Sequence, residues 1–183
     1  MIQSQDRSYY IGCSDTSMVV GNWKTKTFEK WWLEKLGLNK NNLSNEAMKA
    51  GNNYEHKILD SLEIEDLEKD KQIIKDRLRA NLDGNTNTCI YEVKTHNIDK
   101  EFKVSKQYWR QAQVEMYASG IHKLYIVAYG LQENDYNNYF NEIDKNRLEL
   151  INVDYDKEFI ENEYLPKLEI LTECLKKGVF PEW

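Results

Sequence analysis

The amino-acid sequence predicts an α/β domain with one central mixed sheet flanked by helices. Three observations carry this. Residues 88–96, TCIYEVKTH, form a β-branched and aromatic run of strand type. Residues 123–129 form a second, more continuously apolar run ending in LYIVAY. Segments with helical spacing, bounded by their own start and stop residues, lie before, between and after these strands. That order favours a layered sheet with helices packed on it. The length agrees, because 183 residues suit one domain of the usual ~100–200 residues. A single domain is therefore expected over 1–183.

Taken in order, Ser14 is placed to cap a short helix that Gly21 would end. Thr25–Leu36 reads as an amphipathic helix with Phe28, Trp31, Trp32 and Leu36 near one face and Gly37 as its stop. A longer helix is predicted from Ser44 to about Leu62. Its shared face is Met48, Gly51, Glu55, Ile58 and Leu62, apolar except for Glu55. The charge run Glu63–Lys71 reads as an exposed connection, and Lys71–Leu82 as extended chain with room for a turn within it. Asp83-Gly84-Asn85 is a turn signal, so a hairpin is expected around 83–87. Residues 105–119 read as a helix ended by Gly120. Tyr139–Asp144 and Leu148–Asp154 are weaker strand candidates. Asp156 would cap a last helix to about Lys177, kinked near Pro166.

Composition narrows the function classes. Hydrophobic residues are 40%, aromatics 12% and charged residues 31%, enough apolar and aromatic area for a packed core. Cys13, Cys89 and Cys174 are far apart and form no CxxC or Cys/His cluster, which excludes a zinc-finger-like site and fits a reducing cytoplasm. No signal-peptide core and no run of ~18 apolar residues is present, so no membrane role is expected. The net charge of −6 argues against passive DNA coating, where basic charge dominates affinity. An enzyme whose acidic centre holds cations is not subject to that objection.

The chemistry gathers on the 88–96 strand. Side chains alternate across a strand, so Ile90, Glu92 and Lys94 share one face and Cys89, Tyr91 and Val93 the other. A carboxylate and an amine set in an apolar strand need partners. Asp83 lies across the expected hairpin from Glu92. Two adjacent carboxylates repel, and a divalent cation removes that penalty. Lys94 would then orient or deprotonate the attacking water, or balance charge in the transition state. Acid-x-Lys triplets are common in so charged a chain; Glu55-His56-Lys57 and Glu101-Phe102-Lys103 also match, and a plain salt bridge is the competing reading. Only Glu92-Val93-Lys94 follows an Asp-Gly turn and sits in a strong strand. Glu55, the one acid on an apolar helix face, is a further candidate. Of Gln111 and Gln113, two apart and so facing different ways, one could reach the site.

In shared order and spacing, these residues resemble the phage-lambda-type and YqaJ-like exonucleases of the PD-(D/E)xK nuclease superfamily. Ile11-Gly-Cys-Ser14 with Arg7 upstream, Gly51-Asn-Asn-Tyr-Glu55, Leu82-Asp83-Gly84, Glu92-Val-Lys94 and Gln111-Ala-Gln113 carry the resemblance, with Gly178-Val-Phe and Trp183 at the end. The motif's usual proline is Leu82 here, Asn81 stands where a phosphate-binding serine occurs, and the stretch from Glu92 to Gln111 is short. The resemblance implies a restriction-endonuclease-like core. It implies Asp83, Glu92 and the Val93 carbonyl as ligands for Mg²⁺ (Mn²⁺ may replace it), Lys94 as catalytic lysine, Glu55 as accessory acid and Gln111 as support. Arg7 and Ser14 would hold a DNA 5′-phosphate.

The activity so implied is hydrolysis of phosphodiester bonds at double-stranded DNA ends, 5′ to 3′, in phage-type recombination within a bacterial host's cytoplasm. A single-strand annealing protein is the implied partner and a ring-shaped homotrimer the implied assembly. The rival readings are a PD-(D/E)xK endonuclease, a RecB/Cas4-like nuclease, a non-catalytic DNA- or protein-binding module, and a purely structural interaction protein. The absence of a four-cysteine cluster counts against an iron–sulfur enzyme.

Overall fold

A six-stranded mixed sheet runs through the molecule. The computed structural model describes residues 8–39 and 46–182, so Arg7, Ser44 and Trp183 lie outside the described residues. The strands are β1 (Ile11–Gly12), β2 (Glu68–Lys75), β3 (Leu78–Asn85), β4 (Ile90–Asn97), β5 (Lys123–Leu131) and β6 (Leu148–Asp154). The order is β1-β3-β4-β5-β6, with β2 also paired to β3. β4 and β5 are parallel over their whole length; β5 and β6 are antiparallel.

β3 has an unusual set of neighbours. β2 pairs antiparallel from Glu68 to Lys75, interrupted at Asp70 opposite Asp83, and so occupies one edge. The other edge is shared: β1 pairs with Leu78 and Arg79, and β4 with Gly84 and Asn85. Between them the sheet forks, and Ala80–Asp83 face no strand on that side.

The helices are α1 (Thr16–Val20), α2 (Lys26–Lys35), α3 (Glu46–Ser61), α4 (Lys106–Ser119) and α5 (Leu165–Lys177). Caps explain their starts. The Thr25 and Ser105 hydroxyls accept from the Phe28 and Tyr108 amides at α2 and α4. Gly37, Gly120 and Gly178 follow α2, α4 and α5 with positive φ. Asp156 accepts from the Phe159 amide ahead of a π-helical stretch, Phe159–Tyr164. That stretch runs into α5, where Pro166 sits in the first turn.

Three apolar clusters divide the core. One gathers α2, β1 and α5 around Trp31, Trp32, Ile11 and Leu171. A second packs α3 on β4 and β5 through Tyr54, Ile58, Val93 and Val127. A third packs α4 on the sheet through Ala112, Met116, Ile90 and Ile126. Strand alternation in β4 is as expected, since Ile90 joins the α4 side and Val93 the α3 side.

Several expectations need correction. Asp83-Gly84-Asn85 is not a turn but the end of β3; the turn is Thr86–Cys89, closed by the Thr86 amide donating to the Cys89 carbonyl at 2.8 Å. The Thr86 hydroxyl accepts from the Thr88 and Cys89 amides and outcompetes the Asp-Gly signal. Gly84 serves close approach instead, because a Cβ there would lie 2.9 Å from Leu59 Cδ2. The buried stripe of α3 is Ala50, Tyr54, Ile58 and Leu59, with Met48 half exposed. Part of the charge run belongs to β2, from Glu68. Tyr139–Asp144 is a loop, held by its own polar contacts. Ser14 lies in a 3-10 turn, Cys13–Asp15, and caps nothing. β1 has no counterpart among the expected strands.

Candidate active site

The site forms where the β3–β4 ladder stops. Pairing runs Gly84↔Tyr91 and Asn85↔Ile90; the next register step would set Asp83 opposite Glu92. Here the strands part, and Asp83 Oδ2 accepts from the Val93 backbone amide at 2.8 Å. A side chain thus takes the place of a ladder carbonyl, and two carboxylates meet at the fork.

Glu92 is 3% exposed. Its Oε1 accepts from Lys94 Nζ at 2.5 Å and from Gln111 Nε2 at 2.6 Å. Its Oε2 is buried and has no hydrogen-bond partner among the described residues. Burial drives Asp83 well above the usual carboxylate range, with Glu92 and Glu55 adding to it. Burial likewise pushes Glu55 on α3 up to about 7, with Glu92 and Asp70 contributing. Lys94 is raised as well, but by its charged neighbours and not by burial. Burial favours its neutral form, but Glu92 and Asp83 outweigh that and hold it firmly protonated.

An unpaired buried carboxylate oxygen is costly. Asp83, Glu92 and Glu55, each felt by the others, form an oxygen-rich cluster with too little positive charge. That donor set fits a hard divalent cation, which takes oxygen ligands.

The structure brings Asp83, Glu92, Lys94, Glu55 and Gln111 into one electrostatic neighbourhood. Gln113 is excluded from it: fully buried, it donates to the Asp154 carbonyl and accepts from the Asp156 amide. Ser14 is exposed and lines a cleft in the fork with Lys35, Arg79, Asn81, Gln111 and Glu115. Lys35 there is buried and paired with Asp15 at 2.6 Å.

Three residues near the acids escaped the sequence reading. Glu115 is fully buried and accepts from Gln111 Nε2 at 2.8 Å; its one-turn spacing from Gln111 was the available signal. His56 Nε2 and Asp70 Oδ2 are in contact at 2.8 Å. With Glu55 they form a group whose ligand atoms lie within 4.8 Å of one another. Nothing local marks Asp70, because it meets α3 only through the tertiary fold.

The mixed sheet, its flanking helices and its likeness to solved exonucleases place the chain in the PD-(D/E)xK-like fold class. LHK-Exo, an alkaline exonuclease from Laribacter hongkongensis, superposes with a TM-score of 0.67 at 18% identity over 93% of this chain and 92% of that one. Its complex with dAMP gives 0.68 at 19% identity over the same shares. A phage related exonuclease from Haemophilus somnus 129PT gives 0.65 at 17% identity, over 92% of each chain. The chain belongs to the YqaJ-like viral recombinase domain family, whose model matches residues 4–122, a span holding every candidate site residue. No curated protein matches the chain.

Proposed function

We propose that this chain is a divalent-metal-dependent deoxyribonuclease of one domain that degrades double-stranded DNA from its ends, 5′ to 3′, in phage-type recombination. The observation that carries the reading is the unpartnered, buried Oε2 of Glu92 at the fork beside Asp83. Family membership and the exonuclease folds it resembles support the DNA substrate.

Asp83 and Glu92 would hold Mg²⁺, or Mn²⁺ in its place, with the Val93 carbonyl. Bound there, the cation lowers the pKa of a bound water and stabilises charge on phosphate oxygens. Lys94, paired with Glu92, would supply positive charge to the transition state. Glu55, near pH 7, is suited to exchanging a proton with the attacking water. Gln111 fixes Glu92 through its hydrogen bond. Ser14 and Arg7 would hold the 5′-phosphate, with Arg79 lining the adjoining cleft. A single-strand annealing protein would receive the 3′ strand, a homotrimer would be the assembly, and the bacterial host cell the place of action.

The test is digestion of end-labelled linear duplexes, with and without a 5′-phosphate, beside closed circular DNA. Cleavage from 5′-phosphorylated ends only in the presence of Mg²⁺ is expected, with circles left intact. Intact linear DNA, or circles cut as fast as linear molecules, refutes the exonuclease reading.

A further inference from the structure

Glu115 is a buried acid for which the roles above have no use. It lies one helical turn after Gln111 on α4, fully buried, at the bottom of the cleft lined by Lys35, Arg79, Asn81 and Gln111. Its Oε2 has no hydrogen-bond partner among the described residues. A carboxyl group there is unfavourable for stability unless it does something else, because a buried polar atom without a partner is penalised.

The geometry of one amide shows what it does. Gln111 Nε2 carries two hydrogens. One goes to Glu92 Oε1 at 2.6 Å and the other to Glu115 Oε1 at 2.8 Å. With both acids in place, turning the carboxamide over would set its oxygen against two carboxylate oxygens. With Glu115 removed, only Glu92 opposes that rotation. We propose that Glu115 is a positioning residue: it locks the Gln111 carboxamide nitrogen-first toward Glu92. Glu92 Oε1 is thereby kept occupied, and Oε2 remains the atom presented to a divalent cation. The proposal rests on the metal-site reading above.

Glu115→Leu separates this role from a structural one, since the two move stability in opposite directions. A leucine removes a buried carboxyl whose Oε2 has no partner among the described residues, a change that is often neutral or stabilising. The thermal melting temperature should therefore hold or rise. Mn²⁺ affinity, read by calorimetry on the whole chain, should fall about tenfold or more, the usual effect of removing an outer partner of a metal ligand. Glu115→Gln should recover most of it, because its carbonyl oxygen still accepts from Gln111. On a Gln111→Ala background, Glu115→Leu should cause no further loss.

Unchanged Mn²⁺ affinity in Glu115→Leu, a loss that persists in full on the Gln111→Ala background, or no recovery with Glu115→Gln overturns the proposal alone. Asp83→Ala, run alongside, tests the underlying reading: a parent protein that binds no Mn²⁺, or that binds it equally well without Asp83, removes the site and the proposal together. Should Glu115→Leu fold poorly, the proposal is wrong, since it requires that position 115 carry no net structural benefit.

Discussion

At the scale of residues, the site holds three acids that the fold makes reluctant to ionise. Glu55 is raised to about 7, and Asp83 and Glu115 are raised by burial and by their neighbours. A carboxyl whose folded pKa exceeds its unfolded one binds more protons when folded, so it loses stability as pH rises between the two values. For Glu55 that window runs from about 4.5 to about 7. Without metal, the melting temperature should therefore decline from about pH 5 to about pH 8, and Mg²⁺ should recover it mostly at the higher pH. Melts in EDTA that stay level across this range would contradict the acid cluster. Asp83→Ala should lower the cleavage rate by more than about a hundredfold, beyond what loss of an outer partner of a metal ligand costs; a duplex-digestion time course checks it. The approach of Asp83 to Glu92 and Lys94 was legible because strand alternation and a nearby hairpin are local signals, although the turn lies at Thr86–Cys89 and not at Asp-Gly. Gln111 needed family spacing. Glu115, His56 and Asp70 were not legible, since their meaning comes from contacts between α4 and β4 and between α3 and β2.

At the scale of elements, Gly84 links α3 to the fork. A methyl at this position would press on Leu59 Cδ2 at 2.9 Å and on Leu67 Cδ1 at 3.3 Å, and Leu59 is fully buried. Gly84→Ala should destabilise the fold by about 1–3 kcal/mol, the range for overpacking a core. Leu59→Ala should be less harmful in that background than in the parent, a coupling that urea denaturation of the four proteins measures. The same glycine shows why one element was misread: Asp-Gly signals a turn through a positive φ at glycine, and Gly84 is extended within β3. α2 and α4 were legible end to end through their caps and stop glycines, and β5 through its apolar run up to Tyr129, two residues short of its end. β1 was not, because its two residues are a strand only through parallel pairing with β3.

At the scale of the whole molecule, the charge of −6 sets how DNA is met. Phosphate repels an acidic surface, and bound cations are the largest local positive charges such a site can acquire. Affinity for a 5′-phosphorylated duplex should thus rise about tenfold or more from EDTA to Ca²⁺; fluorescence anisotropy of a labelled duplex reads this directly. Equal affinity in both conditions would mean that DNA is held by side chains away from the acids.

The hydrogen bond from the Val93 amide to Asp83 Oδ2 has a use of its own. It makes one backbone proton an internal reporter of the carboxylate's charge. In a ¹⁵N–¹H spectrum, the Val93 resonance should shift as Asp83 gains a proton or a cation, with no DNA, label or turnover required. The chain thus carries, in its own main chain, a probe of the moment its proposed centre becomes loaded.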